Sequence, residues 1–221
     1  MNYDILQPNK VLRSYAREQL HGVWKKTAFV FFVIFLIFVP FYIGSVLNQL
    51  YPDAAAFLIC YTVLFIVAII ISGPLYLGYY GYFLKRIRGE AVSIKVVFDG
   101  FKQFSRAFAL MLLTIVFAFL WTLLLIIPGI IKSLSYSMAF FVLYDNPNMK
   151  PRQALKESIR MMKGYKGKYL GLNLSFIGWV LLGLLTLGIG YLWLYPYMYM
   201  TIANFYENIK ISQKEMAGEE Q

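Results

Sequence analysis

The sequence predicts an all-α integral membrane protein: six transmembrane helices laid out as three parallel helical hairpins, each preceded by a cytoplasmic amphipathic interfacial helix. Three observations predict it. Of the 221 residues, 60% are hydrophobic and only 14% charged, against about 25% charged in an average soluble domain. The apolar residues gather into runs long enough to cross a bilayer core of ~30 Å, which takes about 20 helical residues. Three junctions also follow one plan, in which glycine, an aromatic residue and lysine come after a basic amphipathic stretch. They read L-H-G-V-W-K-K (20–26), F-D-G-F-K-Q-F (98–104) and M-K-G-Y-K-G-K (162–168).

The first amphipathic stretch, 9–21, puts Leu12, Tyr15, Ala16 and Leu20 on one side by helical spacing, beside Arg13 and Arg17. The span 27–49 follows. It is longer than the ~7–15 apolar residues of a signal peptide, so it reads as a retained span. The second span, 54–84, is long enough to need a tilt, a kink or an interfacial end. Ser72-Gly73-Pro74 supplies the kink, because Pro74 removes a backbone donor and crowds the preceding turn. In 91–104, Val92, Val96, Val97, Phe101 and Phe104 form an apolar stripe away from Lys95 and Lys102. The third span is 107–127. Pro128-Gly129 breaks the chain, and a short fourth span, irregular or partly re-entrant at its start, runs to Tyr144.

In 151–163, Pro151 suits a first helical turn. Ala154, Leu155, Ile159 and Met162 share one face there, and Lys156, Arg160 and Lys163 another. The fifth span is 169–187, and Gly188-Ile189-Gly190 turns into a sixth that ends near Ile209. The whole chain, 1–221, is one membrane domain with repeat-like units at 9–84, 91–145 and 151–209 and a short polar cytoplasmic tail at 210–221.

Charge sets the orientation. With six spans, twenty of the 21 lysines and arginines fall on one side and only Lys132 on the other. The positive-inside rule makes the basic side cytoplasmic and places both termini there. Five or seven spans would scramble this asymmetry. Pro74, Ser135 and Pro196 recur every 61 residues, and Phe83, Tyr144 and Phe205 follow nine residues later. Units that begin and end on one side are parallel copies about an axis along the membrane normal. Many secondary transporters use inverted repeats that meet at a midplane site, so this layout counts against ordinary alternating access.

Two sets of residues are candidates for binding. Lys25, Lys26, Lys102, Arg106, Arg160, Lys163, Lys166 and Lys168 are positioned to hold anionic lipid headgroups or an acidic protein partner at the cytoplasmic face. Each basic residue near an anionic surface contributes about 1 kcal/mol. The same charges also serve as topogenic signals and snorkelling anchors. The chain has eighteen tyrosines, and eight of them cluster in 76–82 and 191–199. They fit an interfacial aromatic belt. They also fit a hydroxyl-lined groove formed by Tyr76, Tyr80, Ser135, Ser137, Tyr195 and Tyr199, open to a lipid headgroup or an amphiphilic peptide. Tyr76, Tyr79, Tyr80 and Phe83 share one helical face, and Gly78 and Gly81 would let helices approach closely.

Several chemistries find no residues to carry them. All eleven acidic residues lie at ends or in loops, whereas ion coupling places a carboxylate or histidine inside the bilayer. His21 is the sole histidine and has no partner for a zinc site or a Ser-His pair. Cys60 is the sole cysteine and builds no disulfide or thiolate site. There is no H-E-x-x-H, G-x-S-x-G or P-loop. No catalytic residue, cofactor or metal is expected. Asp145 and Glu207 end the fourth and sixth spans and suit pairing with the basic residues. The net charge of +10 lies in short junctions with no recognition module around it, so nucleic acid is not an expected partner.

The string L-L-L-I-I-P-G-I-I-K-S-L-S-Y-S-M-A-F-F-V-L-Y-D-N-P (123–147) resembles a bacterial membrane family catalogued as a domain of unknown function. So do A-L-K-E-S-I-R-M-M-K-G-Y-K (154–166), L-S-F-I-G-W (174–179), T-L-G-I-G-Y-L-W-L-Y-P-Y (186–197) and G-V-W-K-K (22–26). The chain is also similar to the membrane region fused to some bacterial glycerophosphodiester phosphodiesterases, which implies a lipid-proximal setting. No phosphodiesterase domain accompanies it here, so that activity does not carry over, and the resemblance supplies no catalytic residues.

The function expected from these readings is that of a non-enzymatic bacterial plasma-membrane protein that engages lipids or membrane-active amphiphiles in an accessory or protective role. The alternatives are a passive transporter or lipid scramblase using a polar groove between hairpins, and a scaffold that docks an acidic partner. An intramembrane enzyme is the least favoured class.

Overall fold

A computed structural model of the chain describes residues 7–219. Asp4, Glu220 and the last two residues of the expected polar tail lie outside them. In chain order the elements are α1 (Asn9–Leu20), α2 (Trp24–Leu50), α3 (Ala55–Ile87), a 3-10 segment (Ile94–Gln103), α4 (Phe104–Leu124), α5 (Ile126–Tyr136), α6 (Ala139–Asp145), α7 (Pro151–Met161), α8 (Lys166–Leu174), α9 (Ile177–Leu185) and α10 (Tyr191–Glu219). The chain is all-α.

Among the described residues five helical stretches are long and apolar enough to cross a membrane: Trp24–Leu50, Ala55–Ile87, Ile94–Leu124, Ile126–Asp145 and Lys166–Leu185. They correspond to the first five expected spans. The 29 residues of α10 are long enough as well, but tyrosine, asparagine and the charged residues from Glu207 onward lower its hydropathy. The expected tail is the continuation of this helix, and it packs rather than trails: Ser212 is buried, and the Gln213 amide donates to the Met161 carbonyl at 3.3 Å.

Two details of the helix pattern differ from the sequence reading, each for a local reason. The chain opens at Leu125, which is extended (φ −158°, ψ 138°), and Pro128 sits in the first turn of α5. Proline lacks a donor that the first turn does not need, so the break falls before it. The stretch 91–104 is not an amphipathic α-helix. Its 3-10 period of three stacks Phe98, Phe101 and Phe104 in one exposed row and turns Val97 and Gly100 inward. Pro74 lies inside α3.

Three short elements dock on neighbouring helices. The 3-10 segment lies along α3, α7 packs on α6 as well as α4 and α5, and α1 packs on α10, which closes the circle. The apolar faces expected to enter lipid are therefore used within the protein. Leu12, Ala16 and Leu20 of α1 are buried, as are Ala154, Leu155 and Met161 of α7. Arg17, Lys156, Arg160 and Lys163 stay outward, whereas Arg13 turns inward and donates to the Ser175 carbonyl at 3.1 Å.

Helices α3, α6 and α10 meet in an aromatic core. Phe83 of α3 stacks on Tyr199 of α10 at 5.8 Å, Tyr80 of α3 meets Phe141 of α6 edge-on at 4.6 Å, and Phe141 stacks on Tyr206 of α10 at 5.0 Å. The repeat positions Pro74, Ser135 and Pro196 are all buried. Away from this core, side chains such as Leu123, Leu124, Ile126 and Ile127 stand exposed around the α4–α5 turn, a surface that suits a hydrocarbon solvent.

Glycine sets two of the closest approaches. A Cβ on Gly78 would lie 1.8 Å from the Val97 carbonyl oxygen, and one on Gly100 would lie 1.9 Å from the Pro74 carbonyl oxygen. The 3-10 segment and α3 thus touch backbone to backbone. At the junctions, Gly22 (φ 75°) and Gly164 (φ 88°) provide left-handed bends. Gly100 instead serves packing, so the three glycine–aromatic–lysine junctions do not share one role. Their aromatics differ too: Tyr165 is buried, with its hydroxyl 3.2 Å from the Ser212 hydroxyl, whereas Phe101 is exposed.

Candidate functional site

Two polar constellations and one cleft stand out. The first constellation joins the ends of α3 and α6 to α10. Arg88, just past α3, forms an ion pair with Asp145 at 2.8 Å, and its Nε donates to the Glu207 carboxylate at 2.7 Å. Lys210 donates to Asp145 at 2.6 Å, and the Tyr206 hydroxyl adds a bond at 3.0 Å. Burial by itself would lower the Arg88 pKa, but the hydrogen bonds to Asp145 and Glu207 outweigh it and raise it above its ordinary value. With these carboxylates accepting from cations inside the protein, the cluster is a structural clamp, as expected for Asp145 and Glu207.

The second constellation bridges the break between α5 and α6. The buried Ser158 hydroxyl of α7 donates to the Ser135 carbonyl at 2.8 Å and accepts from the Met138 amide at 3.2 Å. It satisfies two backbone groups that the interrupted helix leaves open.

The cleft has a volume of about 710 Å³, within the ~300–1,000 Å³ of small-ligand sites. One wall is α2, through Phe31, Phe35, Phe38 and Tyr42. The opposite wall is the α9–α10 turn and α10, through Leu187, Ile189, Tyr191, Tyr195 and Tyr199, and α3 contributes Ser72, Leu75, Tyr76 and Tyr79. No charged side chain lines it. Phe31 and Tyr195 stack across it at 4.8 Å. The rim is open, since Phe35, Tyr42, Tyr76 and Ile189 are all exposed. The inner end is closed by Leu75 and Tyr79, which retain 2% and 4% of their surface. Among the described residues the buried Tyr79 hydroxyl has no hydrogen-bond partner. An orphaned buried hydroxyl costs about 1–3 kcal/mol. At the mouth, Leu187 holds φ 52° while 94% exposed.

The sequence-predicted groove divides in space. Tyr76, Tyr195 and Tyr199 line the cleft. Tyr80 points elsewhere, into Phe140 and Phe141. Ser135 and Ser137 lie at the α5–α6 break, where their hydroxyls donate to Ile131 and Leu134 carbonyls at 2.9 and 2.8 Å. The physical reason is rotation: Tyr79 and Tyr80 are about 100° apart on α3, so Tyr80 turns toward α6 while Tyr79 meets Tyr199 of α10, and Tyr76, between them, lines the cleft and also meets Phe140 of α6 at 6.1 Å. Sequence reasoning did not assign the α2 wall. Its signal was present as Phe31, Phe35, Phe38 and Tyr42 at helical spacing, but a lipid-facing stripe has the same pattern.

The basic candidates also differ among themselves. Lys25, Lys26 and Lys163 are exposed, Arg106 and Lys166 half-buried. Lys102 is paired with Asp99 at 2.7 Å and Arg160 with Glu157 at 2.6 Å. Hydrogen bonding from Arg160 holds the Glu157 carboxyl below its usual range. Lys168 is half-buried and already engaged in a contact within the protein. Among the described residues no group of three or more His, Cys, Asp or Glu is placed to hold a metal ion.

No curated protein and no solved structure matches the chain. A family model does match, over residues 1–131 and 122–213. Nearly the whole sequence is thereby covered, and the chain belongs to the family described as protein of unknown function (DUF975).

Proposed function

We propose that this is a multi-pass, non-enzymatic protein of a bacterial plasma membrane that binds a membrane amphiphile in the cleft between α2, α3 and α10, in an accessory or protective role. The observation that carries this reading is the cleft itself, aromatic, uncharged, open at its rim and closed by Tyr79. In this reading α10 is the sixth span, both termini are cytoplasmic, and the exposed Lys25, Lys26 and Lys163 lie against anionic headgroups. The cytoplasmic face also offers a surface to an acidic protein partner.

A passive transporter or scramblase needs a polar path from one face to the other. The aromatic core of Phe83, Phe141, Tyr199 and Tyr206 stands behind the cleft, and this favours holding an amphiphile over passing one. The test is cross-linking of the reconstituted protein with a photoactivatable acyl-chain lipid, followed by peptide mapping. Saturable labelling at Phe31–Tyr42 and Leu187–Tyr199 supports the reading. Uniform, non-saturating labelling over every apolar surface, the α4–α5 turn included, contradicts it.

A further inference from the structure

Resting on the amphiphile-binding reading, we infer that the cleft selects an uncharged lipid bearing a hydrogen-bond-accepting oxygen, of the diacylglycerol class, and that Tyr79 is the residue that reads that oxygen.

The lining decides the charge of the occupant. No lysine, arginine, aspartate or glutamate lines the cleft, and a charge moved into such surroundings without a counter-ion loses its hydration with no compensation. A phosphate or carboxylate headgroup is thus disfavoured inside, and the basic residues that would welcome one, Lys25, Lys26 and Lys163, are not among the lining residues. The orphaned group decides the polar feature. The Tyr79 ring is fixed by edge-to-face contacts with Phe83 at 4.9 Å and Tyr199 at 4.8 Å, and its hydroxyl is buried with no partner among the described residues. Two other lining donors are spent, the Ser72 hydroxyl on the Ile69 carbonyl at 2.8 Å and the Tyr191 hydroxyl on the Val180 carbonyl at 3.1 Å, and Tyr42, Tyr76 and Tyr195 are exposed at the rim, where water serves their hydroxyls. A fixed O–H donor in an apolar cleft selects an acceptor, and an ester carbonyl or neutral hydroxyl supplies one without bringing charge.

The walls decide the rest of the molecule. Phe31, Phe35 and Phe38 present an apolar track along α2, and Leu187 and Ile189 face it from the α9–α10 turn. An acyl chain fits between them, entering through the open rim with its oxygen leading toward Tyr79. A soluble polar ligand would leave this track in contact with nothing that matches it.

The test uses the full-length protein in neutral-lipid nanodiscs and a diazirine-bearing dioleoylglycerol as the probe, competed with unlabelled dioleoylglycerol, dioleoylphosphatidic acid or octadecane. Dioleoylglycerol is expected to compete at least tenfold better than the phosphatidic acid. Tyr79→Phe keeps the ring and removes only the oxygen. It is expected to weaken dioleoylglycerol about fivefold and leave octadecane competition unchanged. Phe35→Trp, at the exposed rim, narrows the track and is expected to weaken all apolar competitors together. Equal competition by phosphatidic acid, or a Tyr79→Phe variant that binds like the parent while Phe35→Trp reduces labelling, overturns the selectivity and leaves amphiphile binding standing. No saturable labelling in the parent overturns both.

Discussion

Arg88 and Asp145 meet at 2.8 Å and tie the end of α3 to the end of α6, while the same guanidinium reaches Glu207 on α10. One arginine thus joins α3, α6 and α10. Asp145 retains 9% of its side-chain surface and Arg88 34%, so solvent screens the pair only in part. Removing one partner of a buried pair costs about 3–5 kcal/mol and exposure reduces that. Arg88→Ala is expected to lower stability by about 1–3 kcal/mol, read by unfolding in mild detergent. Arg88→Lys restores charge but not the fork that serves two carboxylates, and is expected to recover less than half. An Arg88→Ala variant as stable as the parent would show the clamp to be decoration.

Backbone contact between α3 and the 3-10 segment gives a second prediction. Methyl groups at Gly78 or Gly100 collide with carbonyl oxygens that no side-chain motion can clear. Each alanine substitution is expected to destabilise by about 3 kcal/mol, the upper end for overpacking. Gly178→Ala in α9 meets nothing within 4 Å and is expected to be neutral or slightly stabilising. Comparing the three under one assay separates packing from propensity.

Ser158 supplies a third. Ser158→Ala leaves the Ser135 carbonyl and the Met138 amide without their partner in a buried site. The expected cost is about 2–3 kcal/mol, and amide exchange at Met138 is expected to rise by more than tenfold. Unchanged exchange would mean that the α5–α6 break is held by packing alone.

For the basic face proposed to be cytoplasmic, binding of anionic lipid is expected to fall about fivefold for each of Lys25→Gln, Lys26→Gln and Lys163→Gln, from about 1 kcal/mol apiece, as read by native mass spectrometry. Lys102→Gln is expected to have a smaller effect because Asp99 already holds Lys102. Arg160 is engaged likewise. The folded Glu157 pKa lies below its unfolded value, so their pair persists at neutral pH and is lost only as pH falls through that lowered value. Glu157→Gln is therefore expected to free Arg160 and raise anionic-lipid binding at pH 7.

Much of this architecture was legible in the chain. Five apolar stretches announced themselves by length, and Asp145 and Glu207 were readable as partners for cations because no other role suited a carboxylate at a span end. The 3-10 segment was not legible: Val92, Val96 and Val97 imitate a helical stripe, and only contact with Gly78 and Pro74 selects the tighter period. Nor was the fate of the amphipathic faces. Leu12, Ala16 and Leu20 have the same spacing whether they enter lipid or dock on α10. Ser135, at the repeat position of Pro74 and Pro196, and Ser137 were expected to line the groove with the tyrosines. Their hydroxyls instead turn back onto their own helix, which sequence alignment of the units cannot express.

The central claim is that the cleft between α2, α3 and α10 holds an amphiphile. High-resolution imaging of the protein in lipid nanodiscs tests it most directly. The expected result is elongated density along Phe31, Phe35 and Phe38 that ends within hydrogen-bond distance of the Tyr79 hydroxyl. A cleft that is collapsed and dry, with ordered lipid only on the outer faces of α2 and α4, would contradict it.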